Sequence, residues 1–204
     1  MPTEVTTLYQ HLKKLDLLKH SPTYWWPNYG TFEVIIGAIL TQNTTWKNVE
    51  KSLQNLQKHT TLENFLQLDE ETLKNAIKPS GFYNQKAPRL LQLAKNIKKD
   101  FGSFEEFTCK VSKEWLLEQK GIGEESADAI LCYTCKRGIM VVDSYTKRTL
   151  CEFNIHFKTY KEYQAFLQDI ECKTTIEDKA LFYARFHGMF VEYQKLKKYG
   201  TIRK

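Results

Sequence analysis

The sequence predicts an all-α protein, and three features of the chain support this fold class. Apolar residues recur at helical spacing along most of its length, whereas the alternating pattern of a strand is scarce. Thr31 and Asp69 precede two of these apolar segments at positions typical of helix N-caps. Pro79-Ser80-Gly81 closes the segment that Asp69 opens, as proline and glycine commonly do at helix ends. With 42% hydrophobic residues, the chain can bury a real core.

The predicted helices follow one another without an internal repeat or a low-complexity segment. Residues 32–40 are almost all apolar, which predicts a central helix that is buried on every side. Residues 84–99 and 178–198 carry long helical patterns. Shorter helical patterns cover residues 8–18, 49–56, 62–66, 69–77, 104–107, 113–119, 126–133, 145–153 and 160–170.

Charge and cysteine content narrow the environment and the partners of the chain. The formal net charge of +6 permits a polyanionic partner but does not demonstrate one. The five cysteines are odd in number and irregularly spaced, which favours a reduced compartment, and we expect the Cys132 and Cys135 pair to be structural thiols. The N-terminus lacks a signal-peptide pattern, and no apolar run approaches the roughly 20 residues of a membrane span. We therefore expect a cytoplasmic protein without membrane contact.

A glycine turn between two helical patterns is the strongest functional signal. Lys120 and Gly121-Ile122-Gly123 lie inside residues 115–133, and the second helical pattern opens at Ser126. The glycines allow a tight turn and leave backbone N–H groups at the start of the next helix free to meet a phosphate. Asp143 lies ten residues beyond the end of this pattern, directly after the apolar Met140-Val141-Val142. The segment predicts a helix-hairpin-helix grip on a nucleic acid backbone with a carboxylate near it.

These residues resemble the helix-hairpin-helix DNA glycosylases, the superfamily of endonuclease III and of the adenine and alkyl-base glycosylases. The resemblance implies an all-α fold with two lobes and an active-site cleft between them. It extends in the same order to three further motifs, which are LTQNT at 40–44, GFYNQKA at 81–87 and RFHG at 185–188. Lobe 1 would be a six-helix barrel of about residues 31–140 that includes the hairpin at 115–133, and lobe 2 would combine about residues 1–30 with 141–204.

Two departures from the superfamily pattern limit the expected chemistry. Bifunctional members carry a lysine where this chain has Glu125, and a carboxylate cannot form the Schiff base that leads to strand cleavage. No cysteine follows Cys172, whereas endonuclease III-like members place four cluster-binding cysteines after the His-Gly element. We therefore expect no cofactor, no iron–sulfur cluster and no metal ligands in the active site; the resemblance allows a monovalent cation at the hairpin.

Trp25-Trp26-Pro27 lies just ahead of the central helix and Trp46 just beyond it, and GIGEESADAILCY is followed by VVD. These residues are similar to those of the small, cluster-free 3-methyladenine DNA glycosylase III branch. The resemblance implies that Asp143 stabilises the developing sugar cation, that Gln42 fills the hole left by a flipped base, and that Phe82 wedges beside the orphaned partner base. The expected base pocket consists of Trp25, Trp26, Pro27, Trp46 and Lys195. The expected DNA-binding residues are Gln42, Phe82, Lys120, Gly121, Ile122, Gly123 and Ser126.

Each of these residues also has a purely structural interpretation. The glycine turn could simply join two helices, and Asp143 could only cap the helix that starts at Ser144. The tryptophans and Phe82 could belong to the core. Gln42 could form only local hydrogen bonds, Lys195 could be solvated, and His187 could bond to core backbone.

We expect a monofunctional DNA glycosylase that flips and hydrolytically removes alkylated purines, chiefly 3-methyladenine, in base-excision repair. Its partner would be double-stranded DNA with alkylated bases, and it would act as a monomer at the bacterial nucleoid. Two rival interpretations are an endonuclease III-like glycosylase/AP lyase for oxidised pyrimidines and a non-catalytic helix-hairpin-helix DNA-binding module. Glu125 argues against the first rival; the joint presence of Asp143, Gln42 and Phe82 argues against the second.

Overall fold

The computed structural model describes residues 4–200, apart from the side chain of Tyr199, and this range contains helices and loops but no strand. The predicted all-α class is confirmed. Residues 1–3 and 201–204 of the predicted second lobe lie outside the described range. In chain order the α-helices are α1 (Val5–Lys14), α2 (Phe32–Leu40), α3 (Trp46–Leu56), α4 (Leu62–Phe65), α5 (Glu70–Ile77), α6 (Tyr83–Phe101), α7 (Phe104–Lys110), α8 (Lys113–Glu118), α9 (Glu124–Ala129), α10 (Ser144–Glu152), α11 (Tyr160–Gln168) and α12 (Lys179–Tyr199).

Two compact units make up the chain. The central unit is Asn28–Cys135, and the terminal unit combines Met1–Pro27 with Lys136–Lys204. Short 3₁₀ helices add Lys78–Ser80 to the central unit and Asp169–Cys172 to the terminal unit. The six-helix barrel and the cleft between lobes stay predictions. Among the described helices, none combines the length and the apolar character that a membrane crossing requires.

In the central unit, α2 is the buried helix that its apolar sequence predicts. All residues from Phe32 to Leu40 except Glu33 are buried. Thr31 occupies the N-cap position, but its hydroxyl does not cap α2; it donates instead to the carbonyl of Asn28 at 2.6 Å. The cap on α5 is confirmed, because Asp69 accepts the Thr72 backbone N–H at 2.8 Å.

In the terminal unit, α1 and α12 contribute to one apolar core. Leu8 and Leu12 of α1 belong to the same buried cluster as Phe186 and Phe190 of α12. The first helix ends earlier than its pattern predicts, because Asp16 takes a left-handed conformation with φ of 48°. Helix α12 agrees with the predicted terminal helix to within one residue at each end.

The hairpin has the predicted glycine turn, with a longer second helix than expected. Helix α8 ends at Glu118, and α9 begins at Glu124 rather than at Ser126. Gly121 has a φ of 89°, which explains the need for glycine at this position. Helix α9 continues into a π-helical turn over Ile130–Thr134.

Candidate active site and DNA interface

Asp143 is both the N-cap of α10 and part of a buried polar cluster. Its Oδ1 accepts the backbone N–H of Thr146 at 2.7 Å, so the structural interpretation as a cap is correct. Its Oδ2 lies 3.4 Å from Nε2 of His187, which is on α12. The side chain of Asp143 is 14% exposed and that of His187 only 4%. Capping therefore uses one carboxylate oxygen and leaves the other facing His187.

The surroundings of Asp143 keep its carboxyl group ionised near neutral pH. Burial raises the pKa of this group, since a low dielectric disfavours charge. The neighbouring His187 and hydrogen bonds from Thr146 outweigh that effect and hold the pKa of the Asp143 carboxyl below its ordinary value. A stable carboxylate is what stabilisation of a cationic transition state requires.

Helix α11 holds the extended segment that leads to Asp143. Gln164 donates from Nε2 to the carbonyl of Met140 at 2.7 Å. The hydroxyl of Tyr160 accepts the backbone N–H of Val142 at 3.3 Å. These two side chains satisfy backbone groups that have no strand partner. Neither residue belongs to a motif of the sequence, and both follow Asp143 by more than a dozen positions. The contacts of Tyr160 and Gln164 with this segment were therefore not predicted.

Trp25 lies against α12 and joins the same cluster as Asp143. Its indole N–H donates to Oε1 of Glu192 at 3.1 Å, and its ring meets the ring of His187 edge to face at 5.3 Å. A Cβ at position 188 would lie 2.4 Å from Cγ of Trp25, so the indole needs the space that Gly188 leaves. Trp25 has a φ of 65°, a conformation that bulky residues rarely adopt.

Glu192 links Trp25 to Lys195, and the sequence did not single it out. Lys195 donates from Nζ to Oε1 of Glu192 at 2.7 Å. The Nζ atom of Lys195 also lies 5.7 Å from the centroid of the Trp25 ring. Glu192 is 8% exposed. Lys195 is therefore held beside a predicted pocket tryptophan, rather than being the freely solvated lysine of the structural interpretation.

The other predicted pocket residues are placed differently. Trp26 is buried at 8% exposure and packs edge to face on Trp25, which suits a core residue. Pro27 is exposed. Trp46 is half-buried at the first position of α3 and belongs to the central unit. Its place in the base pocket stays a prediction.

In the central unit, Gln42 is tied to the hairpin. Its Nε2 donates to the carbonyl of Gly121 at 3.0 Å and to the hydroxyl of Ser126 at 3.1 Å. Phe82 precedes α6 in a left-handed conformation with φ of 48°, and its side chain is 59% exposed. It does not fold back on the core as the structural interpretation required. An exposed phenylalanine on a constrained turn suits insertion between bases.

The hairpin turn combines an exposed backbone with buried anchors. Lys120, Gly121 and Gly123 are exposed, whereas Ile122 is 7% and Ser126 9% exposed. Glu125 is exposed on the first turn of α9. Within residues 4–200, no group of three or more His, Cys, Asp or Glu side chains is placed to hold a metal ion.

Known proteins resemble this chain in sequence and in structure. Residues 36–172 match the family described as HhH-GPD superfamily base excision DNA repair protein. A Methanocaldococcus jannaschii protein assigned as a DNA repair glycosylase is 40% identical over 179 residues, which is 84% of this chain and 80% of that protein. The crystal structure of H. pylori 3-methyladenine DNA glycosylase bound to 1,N6-ethenoadenine has a TM-score of 0.89 and 45% identity, covering 96% of this chain and 99% of that one.

More distant structures share the fold. A non-covalent endonuclease III–DNA complex gives a TM-score of 0.73 at 16% identity, covering 94% of this chain and 86% of that one. The family match spans more than half of the 204 residues, and the predicted resemblance is confirmed. The chain belongs to the HhH-GPD superfamily of base excision DNA repair proteins and is a DNA glycosylase of that family.

Proposed function

We propose that this glycosylase removes alkylated purines, chiefly 3-methyladenine, by hydrolysis and without strand cleavage. The cluster of Asp143, His187, Trp25, Glu192 and Lys195 in the terminal unit carries the proposal. It combines an ionised carboxylate with an aromatic face, the two groups that removal of a cationic base needs. The similarity to a 3-methyladenine glycosylase supports the same substrate class.

The chemistry of the substrate explains why one carboxylate suffices. A 3-methyladenine base is positively charged while it is bonded to the sugar, and it departs as a neutral molecule. Protonation of the leaving base is therefore unnecessary, and the energetic demand lies in the sugar cation that develops. Asp143 would stabilise this cation or orient the attacking water once the base has left the stack.

The charge balance of the cluster favours a cationic base. Apart from His187, the cluster holds the two carboxylates of Asp143 and Glu192 against the single ammonium group of Lys195. Coulomb attraction strengthens where water is excluded. Trp25 adds an electron-rich surface, and contacts of this kind contribute about 0.5–2 kcal/mol to cation binding.

Duplex DNA is the proposed partner, and Glu125 is the reason to expect intact strands. A carboxylate at this exposed position of α9 cannot attack the sugar as an amine would. We further propose that the protein acts as a monomer without an iron–sulfur cluster, in the bacterial cytoplasm at the nucleoid, where its substrate would be.

Product analysis on methylated duplex DNA tests this proposal. We expect free 3-methyladenine, intact strands with abasic sites, and no protein–DNA adduct after borohydride treatment. Asp143→Asn serves as the matched negative control. Release of oxidised pyrimidines, or a trapped adduct above background, would support the glycosylase/lyase rival, and binding without release of any base would support the non-catalytic rival.

A further inference from the structure

Lys86, on α6 of the central unit, is a buried lysine to which neither the proposed reaction nor the predicted DNA contacts assign a role. It is 2% exposed, and no carboxylate within residues 4–200 forms an ion pair with it. Burial lowers the pKa of its ammonium group to about 8. An isolated ammonium is expensive to bury, so its retention in the interior calls for a physical reason.

The partners of Lys86 are the last carbonyl groups of two helices. Its Nζ donates to the carbonyl of Leu40 and to that of Ser80, each at 2.9 Å. Leu40 is the final residue of α2, and Ser80 ends the 3₁₀ helix Lys78–Ser80. Carbonyls at helix ends lack partners within the helix, and they carry partial negative charge. The ammonium group therefore joins two helix ends that would otherwise hold unpaired acceptors in the interior.

Each of these carbonyls lies two residues before a predicted DNA-contacting side chain. Gln42 follows Leu40, and Phe82 follows Ser80. The backbone N–H of Lys86 also donates to the carbonyl of Phe82 at 2.9 Å. One lysine thus holds the backbone on both sides of the Phe82 turn and, in addition, the end of the helix that leads to Gln42.

We propose that Lys86 is a positioning residue that presents Gln42 and Phe82 to DNA in a fixed mutual arrangement. The inference rests on the proposed DNA contacts of those two side chains. Inserting a plug and a wedge together requires both to be in place before the base leaves the stack, and preorganisation lowers the entropy that binding must otherwise supply. Lysine suits the position because a compact ammonium donates in three directions.

A binding cycle on duplex DNA with a tetrahydrofuran abasic-site analogue tests the proposal. The cycle compares the wild type, Lys86→Met, the double variant Gln42→Ala/Phe82→Ala, and the triple variant. We expect Lys86→Met to weaken binding about tenfold or more in the wild-type background and by less than about twofold in the double variant. The effect should vanish in the double variant because nothing remains there for Lys86 to position.

Two further variants separate positioning from stability. Lys86→Arg keeps the charge but replaces the compact ammonium with a larger, planar guanidinium, so it should recover only part of the affinity that Lys86→Met loses. Lys74→Met removes a lysine of the same unit that pairs with Glu70 at 2.8 Å, and it should leave affinity unchanged. Thermal unfolding is measured for every protein, and Lys86→Gln replaces Lys86→Met in the cycle if the latter does not fold.

Equal weakening by Lys86→Met in both backgrounds would make Lys86 a structural residue and overturn the inference. Unchanged binding by Gln42→Ala/Phe82→Ala would remove its premise and overturn it as well. The analogue carries no base, so base release by the wild-type protein tests the proposed substrate separately. A protein that releases no 3-methyladenine but shows the expected cycle would refute the proposed function and retain the role of Lys86.

Discussion

The two units of this chain hold their candidate functional residues by different means. In the terminal unit, Asp143, His187 and Glu192 are largely buried and are held by contacts between side chains. In the central unit, Phe82 and the glycine turn are exposed, and backbone conformation sets their direction. Electrostatic catalysis gains strength where water is excluded, whereas contact with a polymer requires exposure. Substitutions in the terminal unit should therefore change the chemistry, and those in the central unit should change DNA binding.

The largest effect is expected at Asp143. Asp143→Asn keeps an N-cap for α10 but removes the charge that we propose stabilises the sugar cation. Single-turnover base release should fall by roughly 10³-fold or more, with unchanged affinity for abasic-site DNA. If Asp143→Asn released base near the wild-type rate, Asp143 would be only a helix cap. The assignment of the chemistry to the terminal unit would then be wrong.

A smaller, substrate-dependent effect is expected at Trp25. Trp25→Ala removes the aromatic face, so excision of cationic 3-methyladenine should fall about 2- to 30-fold more than excision of a neutral lesion such as 1,N6-ethenoadenine. Trp26→Ala is the matched control, because Trp26 is buried in the core and its loss should lower the melting temperature and both activities together. Uniform losses that follow stability in both variants would remove Trp25 from the pocket.

Substitutions of the two glycines in the hairpin turn should lower DNA affinity to different extents. Gly121 has a φ of 89°, and a Cβ there would lie 2.7 Å from Cδ of Arg89, whereas a Cβ at Gly123 meets no atom within 4 Å. Gly121→Ala should weaken binding to damaged and undamaged DNA alike by about tenfold, and Gly123→Ala should have less effect. A loss confined to damaged DNA would assign the turn to lesion recognition instead.

The last prediction concerns stability rather than activity or DNA binding, and its variable is pH. The pKa of Lys86 is about 8 in the folded chain against 10.5 for an ordinary lysine, so the unfolded chain binds more protons between these values. The free energy of unfolding should therefore rise with pH across this window, by about 1–3 kcal/mol from this residue. Denaturant titrations at several pH values would measure the free energy of unfolding of the wild type and of Lys86→Met. If this free energy changed equally with pH in both proteins, the pKa of about 8 for Lys86 would be contradicted.

Local patterns predicted much of the helix framework. The buried α2, the cap at Asp69, the long α12 and the glycine turn all follow from short segments whose spacing or turn residues act locally. Two local predictions were wrong, one for a helix cap and one for a helix end. Thr31 has the right chemistry for a cap, yet its hydroxyl bonds to the carbonyl of Asn28, and the apolar pattern of α1 runs past the left-handed Asp16.

Contacts distant in sequence left no local signal. Glu192 looks like an ordinary charged residue of a helical segment, and the GFYNQKA motif that contains Lys86 says nothing of its burial. Only the fold shows that each is buried with specific partners. The RFHG motif drew attention to His187, but it did not indicate that the imidazole faces Asp143. A helical pattern tells which residues are buried, and it does not tell which buried residue meets which.

The sequence by itself determined the all-α class, the hairpin and the superfamily. Periodicity and turn glycines act between residues close in sequence, and motif order depends only on the order of residues along the chain. Tertiary structure alone decided how the residues of the site are held. Trp25 meets Glu192 across 167 positions of sequence, and Gln42 meets Ser126 across 84. Such pairs form only when packing of the helices brings distant segments together, since hydrogen bonds and ring contacts act over a few ångströms.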